Sequence, residues 1–381
     1  MIYLDNAATT KVRAEVLEAM LPYLQENYGN PSSVYALGRE AHHALDVARE
    51  QVRAALNAKL AREIFFTGCG TESDNWAIMG AAHARREKGR HIITSKVEHH
   101  AVLDTCRALE AEGYAVTYLD VDAYGQVRPE AVRAALRPDT VLVSVMFANN
   151  EVGTINKVAE IAKIAHEHGA LFHTDAVQAV GHLTIDVQAM DIDMLSLSGH
   201  KFHAPKGVGA LYIRQGTSVD KYMHGGGQER GRRSGTENLA SIVAMGRAIE
   251  LATEELPKEA QRLAALREEM IALAREKIPG VVLNGHPSER LPNNVNLRIP
   301  DLTSEAALYN LDMAGIACSS GSACTAGSLS PSHVLLAMGL SEKEARGALR
   351  FTFSRYTTRE EIFQAVEKLA EIADRLRIQK I

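Results

Sequence analysis

Met194-Leu195-Ser196-Leu197-Ser198-Gly199-His200-Lys201 is the stretch on which the reading of this chain turns. Met194–Leu197 is a short apolar run that reads as a strand, and it breaks into small and polar residues that end at a lysine. Ala204-Pro205-Lys206-Gly207-Val208-Gly209 follows, and its proline and glycines restrict the backbone after the turn. A lysine at a strand end among small residues is within reach of a small molecule. Taken alone, a loop lysine is far more often plain surface. When buried it has a depressed pKa and can form a Schiff base with a carbonyl compound.

Outward from this stretch the same texture recurs. Ile64–Thr67, His91–Ser95, Ala115–Leu119, Val141–Met146, Leu171–His173 and Ala210–Ile213 also read as strands. Helical periodicity covers Leu37–Leu56, Val102–Glu112 and Val158–Glu167. This alternation predicts an α/β fold with a largely parallel sheet flanked by helices, and such sheets take ligands at the loops beyond their strand ends. From about Gly235 the pattern changes. Thr236–Leu256 and Lys258–Lys277 read as two long helices with Pro257 between them. Strand candidates at Val281–Leu283, Asn294–Leu297 and Arg350–Phe353 follow, with helices around Glu305–Met313, Pro331–Ala337 and Glu360–Leu376. A smaller α+β domain after a boundary near 257 is the expectation.

The 381 residues suffice for two domains of ordinary size. Hydrophobic residues make up 46% and charged residues 23%, both in the globular range. A net charge of −5 without a basic stripe argues against a nucleic-acid partner. Apolar runs such as Val141–Ala148 fall far short of the ~20 residues of a membrane helix. The MIYLDNAATT start lacks a basic-then-apolar leader, so a cytoplasmic protein is expected. Cys69, Cys106, Cys318 and Cys324 are too sparse for a disulfide framework, and no CxxC pair suggests zinc.

The candidate chemistry lies at the predicted strand ends. Asp175, in His173-Thr174-Asp175, is a carboxylate that either caps a helix or pairs with a pyridinium nitrogen. Gly68-Cys69-Gly70-Thr71-Glu72-Ser73 follows a strand and opens a helix, where exposed N–H groups suit a phosphate as well as an ordinary cap. His99 follows another strand, placed to stack on a ring and to move protons, although a lone histidine is more often structural. Ser319-Ser320-Gly321-Ser322-Ala323-Cys324-Thr325-Ala326-Gly327-Ser328 has no apolar anchor, so packing is a poor explanation for Cys324 and a reactive thiol a better one.

With these motifs in hand, the chain resembles the cysteine desulfurases of the NifS/IscS group, pyridoxal phosphate (PLP) enzymes of fold type I in the class V aminotransferase family. The resemblance runs nearly end to end. It is carried by Tyr3-Leu4-Asp5-Asn6-Ala7-Ala8-Thr9-Thr10, Tyr28-Gly29-Asn30-Pro31-Ser32-Ser33 and Gly70-Thr71-Glu72-Ser73-Asp74-Asn75. It continues through Asn149-Asn150-Glu151-Val152-Gly153, Ser198-Gly199-His200-Lys201, His224-Gly225-Gly226-Gly227-Gln228-Glu229, Arg233-Ser234-Gly235-Thr236 and the Cys324 segment. The resemblance implies a large domain over 14–257, with a mostly parallel seven-stranded sheet flanked by helices. The small α+β domain would combine 1–13 with 258–381 and carry Cys324 on a mobile loop.

The resemblance also implies roles. Lys201 would bind PLP as a Schiff base, Asp175 would pair with the ring nitrogen, Gln178 would contact the ring hydroxyl and His99 would stack on the ring and transfer protons. Gly70, Thr71, Ser198 and His200 would hold the phosphate, with Thr236 from the partner subunit of a homodimer. Asn150 and Arg350 would orient L-cysteine, Arg350 by a bidentate fork on its carboxylate, and Asn30 would assist. Cys324 would accept the sulfur as a persulfide, L-alanine would leave, and an iron–sulfur scaffold protein would receive the sulfur. The ending Arg375–Ile381 and the segment Leu329–Leu335 lean towards NifS rather than IscS, hence towards nitrogenase cluster assembly. Cys69 and Cys318 depart from the pattern and read as small fillers, Cys318 alternatively as a secondary sulfur site, and Cys106 reads as packing.

Three rival readings stay open. One is another PLP enzyme of the same fold, such as an aminotransferase or selenocysteine lyase, and Cys324 discriminates because transamination requires no nucleophilic thiol. A sulfur-carrier or metal-binding scaffold would use His42-His43 and His99-His100, but adjacent helix residues diverge and no third ligand is spaced to help. A dehydrogenase is weakest, because no G-x-G-x-x-G follows the first strand.

Overall fold

The computed structural model describes residues 1–320 and 331–378, so Cys324 lies outside the described residues. The chain opens with β1 (Ile2–Tyr3). Then come β2 (Ile64–Thr67), β3 (His91–Ser95), β4 (Ala115–Leu119), β5 (Thr140–Ser144), β6 (Leu171–Asp175), β7 (Met194–Ser198) and β8 (Gly209–Ile213). These seven strands form one sheet in the order β2-β8-β7-β6-β5-β3-β4. The neighbours from β7 to β4 are parallel, and β8 runs antiparallel to both β7 and β2.

Every residue of β2, β3, β5, β7 and β8 is buried, which is why none of these strands carries an Asp, Glu, Lys or Arg. Successive residues enter different cores. Ile92, Leu142 and Met194 pack with Trp76, Val102 and Leu109 of the helices Gly70–Ala84 and His100–Ala111. Ile93, Val143 and Leu195 pack with Val52, Ile161 and Ala244 on the opposite face. The helices thus cover both faces, and the carboxyl ends of the parallel strands remain open to a ligand.

The C-terminal part builds a separate core. β9 (Val282–Asn284), β10 (Asn294–Arg298) and β12 (Ala348–Thr352) form an antiparallel sheet, while β11 (Ile316–Ala317) pairs in parallel with β1. Leu4 is buried in this core with Val295, Leu349, Phe351 and Leu369. The first residues of the chain therefore pack with its last elements. No helix is long and apolar enough to cross a membrane among the described residues.

One expectation needs correction. The two long helices read around Pro257 are a single 39-residue helix, Leu239–Lys277, with the proline inside it. An interior proline costs about 3 kcal/mol, yet this helix is anchored on either side of it. Leu239–Leu251 contributes to the core that holds Val52 and Ile161, and Leu263–Ala274 to the C-terminal one. Between them Glu255 binds both Arg13, at 2.8 Å, and Arg355, at 2.6 Å. Tertiary packing outweighs the local breaker.

Glu229 and Arg230 adopt φ of 45° and 58°, in the left-handed region that such residues seldom occupy. Glu229 is held there by a buried fork from Arg49, with bonds of 2.8 and 2.9 Å. Glu229→Ala strands the Arg49 charge, and a loss of about 3–5 kcal/mol is expected from breaking a buried pair. The midpoint of chemical denaturation measures it, and an unchanged midpoint contradicts this account.

Candidate active site

The strand ends bring the candidate residues to one cavity of about 290 Å³. β6 ends at Asp175, whose Oδ1 accepts from the Val177 backbone N–H at 2.9 Å. β7 runs directly into the turn Gly199–Lys201, so Ser198, His200 and Lys201 all reach the cavity wall. β2 leads to the helix Gly70–Ala84, whose first residues Gly70 and Thr71 also line it. At Gly70 a Cβ would stand 2.8 Å from Val177 Cγ2 and 3.3 Å from Ser198 Cβ, so the wall closes over bare backbone. His99, Gln178, Asn150 and Arg350 complete the gathering.

Two of the named residues are elsewhere. Asn30 is exposed, and its Oδ1 accepts from the Ser32 N–H at 2.9 Å. Thr236 is exposed as well, and neither lines the cavity. Cys69 is not the filler expected of it: it is exposed at the cavity, and its Sγ accepts from the Glu72 N–H at 3.4 Å as the cap of its helix. Cys106 is buried in the core, and burial pushes its thiol up to about 12. The same cause raises Cys318 to about 12, which makes it a poor thiolate.

Several participants carry no side-chain signal in the sequence. Lys201 Nζ donates to the carbonyls of Ala7, at 2.6 Å, and Ala8, at 2.8 Å. Gln178 Nε2 donates to the Ala7 carbonyl at 3.0 Å. The N-terminal segment is thus part of the cavity wall. Arg350 is almost fully buried; its Nη2 donates to Asp5 Oδ1 at 2.8 Å and its Nη1 to the Asn150 carbonyl at 3.1 Å. Its buried Nε has no partner, so part of the fork expected for a substrate carboxylate is already engaged and part is not. Asp74, in the first turns of the Gly70–Ala84 helix, also lines the cavity, with a buried Oδ1 that accepts no hydrogen bond and lies 3.7 Å from His173 Nε2.

Burial dominates the electrostatics. It raises Asp175 to about 6, against the opposing pull of the Val177 N–H and the Lys201 charge. It lifts Asp74 well above the usual carboxylate range, with the Asp175 charge acting in the same sense. His99 and His200 are each lowered to about 4, by burial first and by the Lys201 charge second. The cavity therefore opposes one amine to one carboxylate among neutral imidazoles near pH 7.

A family model described as aminotransferase class-V matches residues 2–364. The chain belongs to the class-V aminotransferase family. The family and its cysteine desulfurase members depend on PLP. A cysteine desulfurase IscS of Methanosarcina thermophila is 53% identical over 376 residues, covering 99% of this chain and 93% of that protein. A cysteine desulfurase of Trichormus azollae is 50% identical over 377 residues, covering 99% and 94%. Among solved structures, a NifS-like protein superposes with a TM-score of 0.92 at 39% identity, covering 98% of this chain and 99% of that one. SspA in complex with cysteine gives 0.83 at 39% identity, covering 94% and 100%.

The cavity fits that cofactor. An amine able to form a Schiff base faces a buried carboxylate, and a helix amino terminus with a side-chain-free first residue suits a phosphate. Gly70→Ala is expected to crowd Val177 by about 1–3 kcal/mol. Titration of the apoprotein with PLP, followed by visible absorbance, should show affinity about 5- to 150-fold weaker. Equal affinity contradicts the assignment of this wall to the phosphate.

Proposed function

We propose that this protein is a PLP-dependent cysteine desulfurase that removes sulfur from L-cysteine, releasing L-alanine and leaving a persulfide on Cys324. The observation that carries the proposal is the meeting of Lys201, Asp175, His99 and Arg350 in one cavity beyond the strand ends. Aminotransfer would use the first two alike. The arginine suits an amino-acid carboxylate, and the relatives named cysteine desulfurase favour sulfur chemistry.

In this reading Gly70, Thr71, Ser198 and His200 hold the phosphate, Asp175 pairs with the ring nitrogen, Gln178 meets the ring hydroxyl and His99 stacks on the ring. When bound, PLP supplies an electron sink for the charge left on the substrate Cα. Lys201 Nζ moves the Cα proton. Asn150 and Arg350 hold the carboxylate. The Cys324 thiolate takes the substrate sulfur and later passes it to an iron–sulfur scaffold protein. Supply dedicated to nitrogenase clusters is the narrower form of the proposal and rests on the Leu329–Leu335 resemblance. The division into 14–257 and 1–13 with 258–381 also belongs to this reading, and the two separate buried cores support it.

Cys324→Ala should keep the visible absorbance of bound PLP and lose sulfide release from L-cysteine by at least about a hundredfold. Lys201→Ala should lose the Schiff-base absorbance itself. Unchanged turnover in the first variant, or an unchanged spectrum in the second, contradicts the role given to that residue.

A homodimer with shared sites accounts for Asn30 and Thr236, exposed and outside the cavity of their own chain. Leu24, Tyr28, Val34 and Tyr35 are 55%, 72%, 88% and 56% exposed, an apolar surface in want of a partner. Light scattering should report twice the 41.5 kDa chain mass. A fully active monomer contradicts the shared site.

A further inference from the structure

A histidine that caps its own helix has its tautomer decided by the cap. His99 is the N-cap residue of the helix His100–Ala111, with φ −62° and ψ 150°. Its Nδ1 lies 3.1 Å from the backbone nitrogen of Ala101. A backbone N–H can only donate, so Nδ1 is the acceptor and carries no proton. The single proton of the neutral ring is therefore on Nε2. The same residue lines the cavity with Lys201.

We infer that His99 is a fixed Nε2–H donor in this cavity, neutral throughout turnover, and that it is not the base of the reaction. This rests on the desulfurase reading and sharpens it. To accept a proton, His99 would have to take it on Nδ1 and surrender the Ala101 cap. To give one up, it would have to become an anion.

Its neighbours oppose a second proton. The Lys201 charge from the β7 turn, His100 from its own helix and His333 from the helix His333–Ala337 all disfavour the imidazolium, against Asp104 of its own helix and the more distant Asp175 of β6. His333 Nε2 is 2.9 Å from the Glu98 carbonyl, which can only accept, so that nitrogen too carries its proton. Burial acts in the same sense and holds His99 down to about 4. Glu98, raised to about 8 by its own burial, brings little compensating charge near pH 7. Base duty at the substrate Cα then falls to Lys201, and His99 offers a hydrogen bond from a constant direction.

The test is nitrogen-15 NMR of the histidine-labelled holoenzyme, with the His99 signals assigned by their loss in His99→Asn. Between about pH 5 and 8, the window of an ordinary histidine, Nδ1 should stay mostly unprotonated and Nε2 protonated, with no titration midpoint. An Nδ1–H tautomer, or a midpoint within that window, overturns the inference. The pH dependence of kcat gives a second reading. His99→Asn should lower kcat at every pH without moving the inflections of the profile. Disappearance of an inflection in that variant overturns the inference as well. Failure of the desulfurase reading shows separately, as absence of alanine from L-cysteine with the native enzyme.

Discussion

The hydrogen bonds of Lys201 Nζ are the constraint around which the rest of the molecule is arranged. A half-buried amine needs partners, and here they are the Ala7 and Ala8 carbonyls, at 2.6 and 2.8 Å, and the nearby Asp175 charge. The segment that carries the two carbonyls is itself held. Tyr3 Oη donates to the Asp5 and Thr9 carbonyls, Thr10 Oγ1 to the His200 carbonyl, and Asn6 Nδ2 to the Thr352 carbonyl. The amine that would hold the cofactor is therefore tied to the N-terminal segment, and that segment is tied to β12.

This arrangement makes the cavity the meeting place of two cores. Leu4 is buried in the C-terminal core, and three residues later Ala7 faces Lys201. Asp5 joins the two by its bond to Arg350, which β12 carries in from the far end of the chain. The long helix Leu239–Lys277 runs through both cores and holds them in register with each other. The amine comes from the large sheet and the arginine from the small one. The cavity wall thus depends on a junction that neither core makes alone.

Much of this was legible in the sequence, for physical reasons that differ from residue to residue. β2 and β3 fall where they were read, because buried strands leave short runs with few charges bounded by turn residues, and β4, with only Leu119 buried, was legible from its β-branched and aromatic residues. Gly70, His99, Asp175 and Lys201 were legible because parallel strands deliver their ends to one edge of the sheet. The Ala7 and Ala8 carbonyls were not, because a backbone acceptor leaves no mark on residue type. The Asp5–Arg350 pair escaped through its separation along the chain. Pro257 misled because local propensity yields to packing on both of its sides. Cys69 misled because a sulfur atom served as a helix cap.

In the proposed reaction the sulfur passes to Cys324, which lies outside the described residues, and the most direct measurement is on that thiol. The native enzyme is incubated with L-cysteine, digested without reductant and examined by mass spectrometry. The account predicts one added sulfur on the peptide that contains Cys324, and none on those of Cys69, Cys106 and Cys318. Sulfur on one of the other three, or unmodified Cys324 while alanine accumulates, would contradict it.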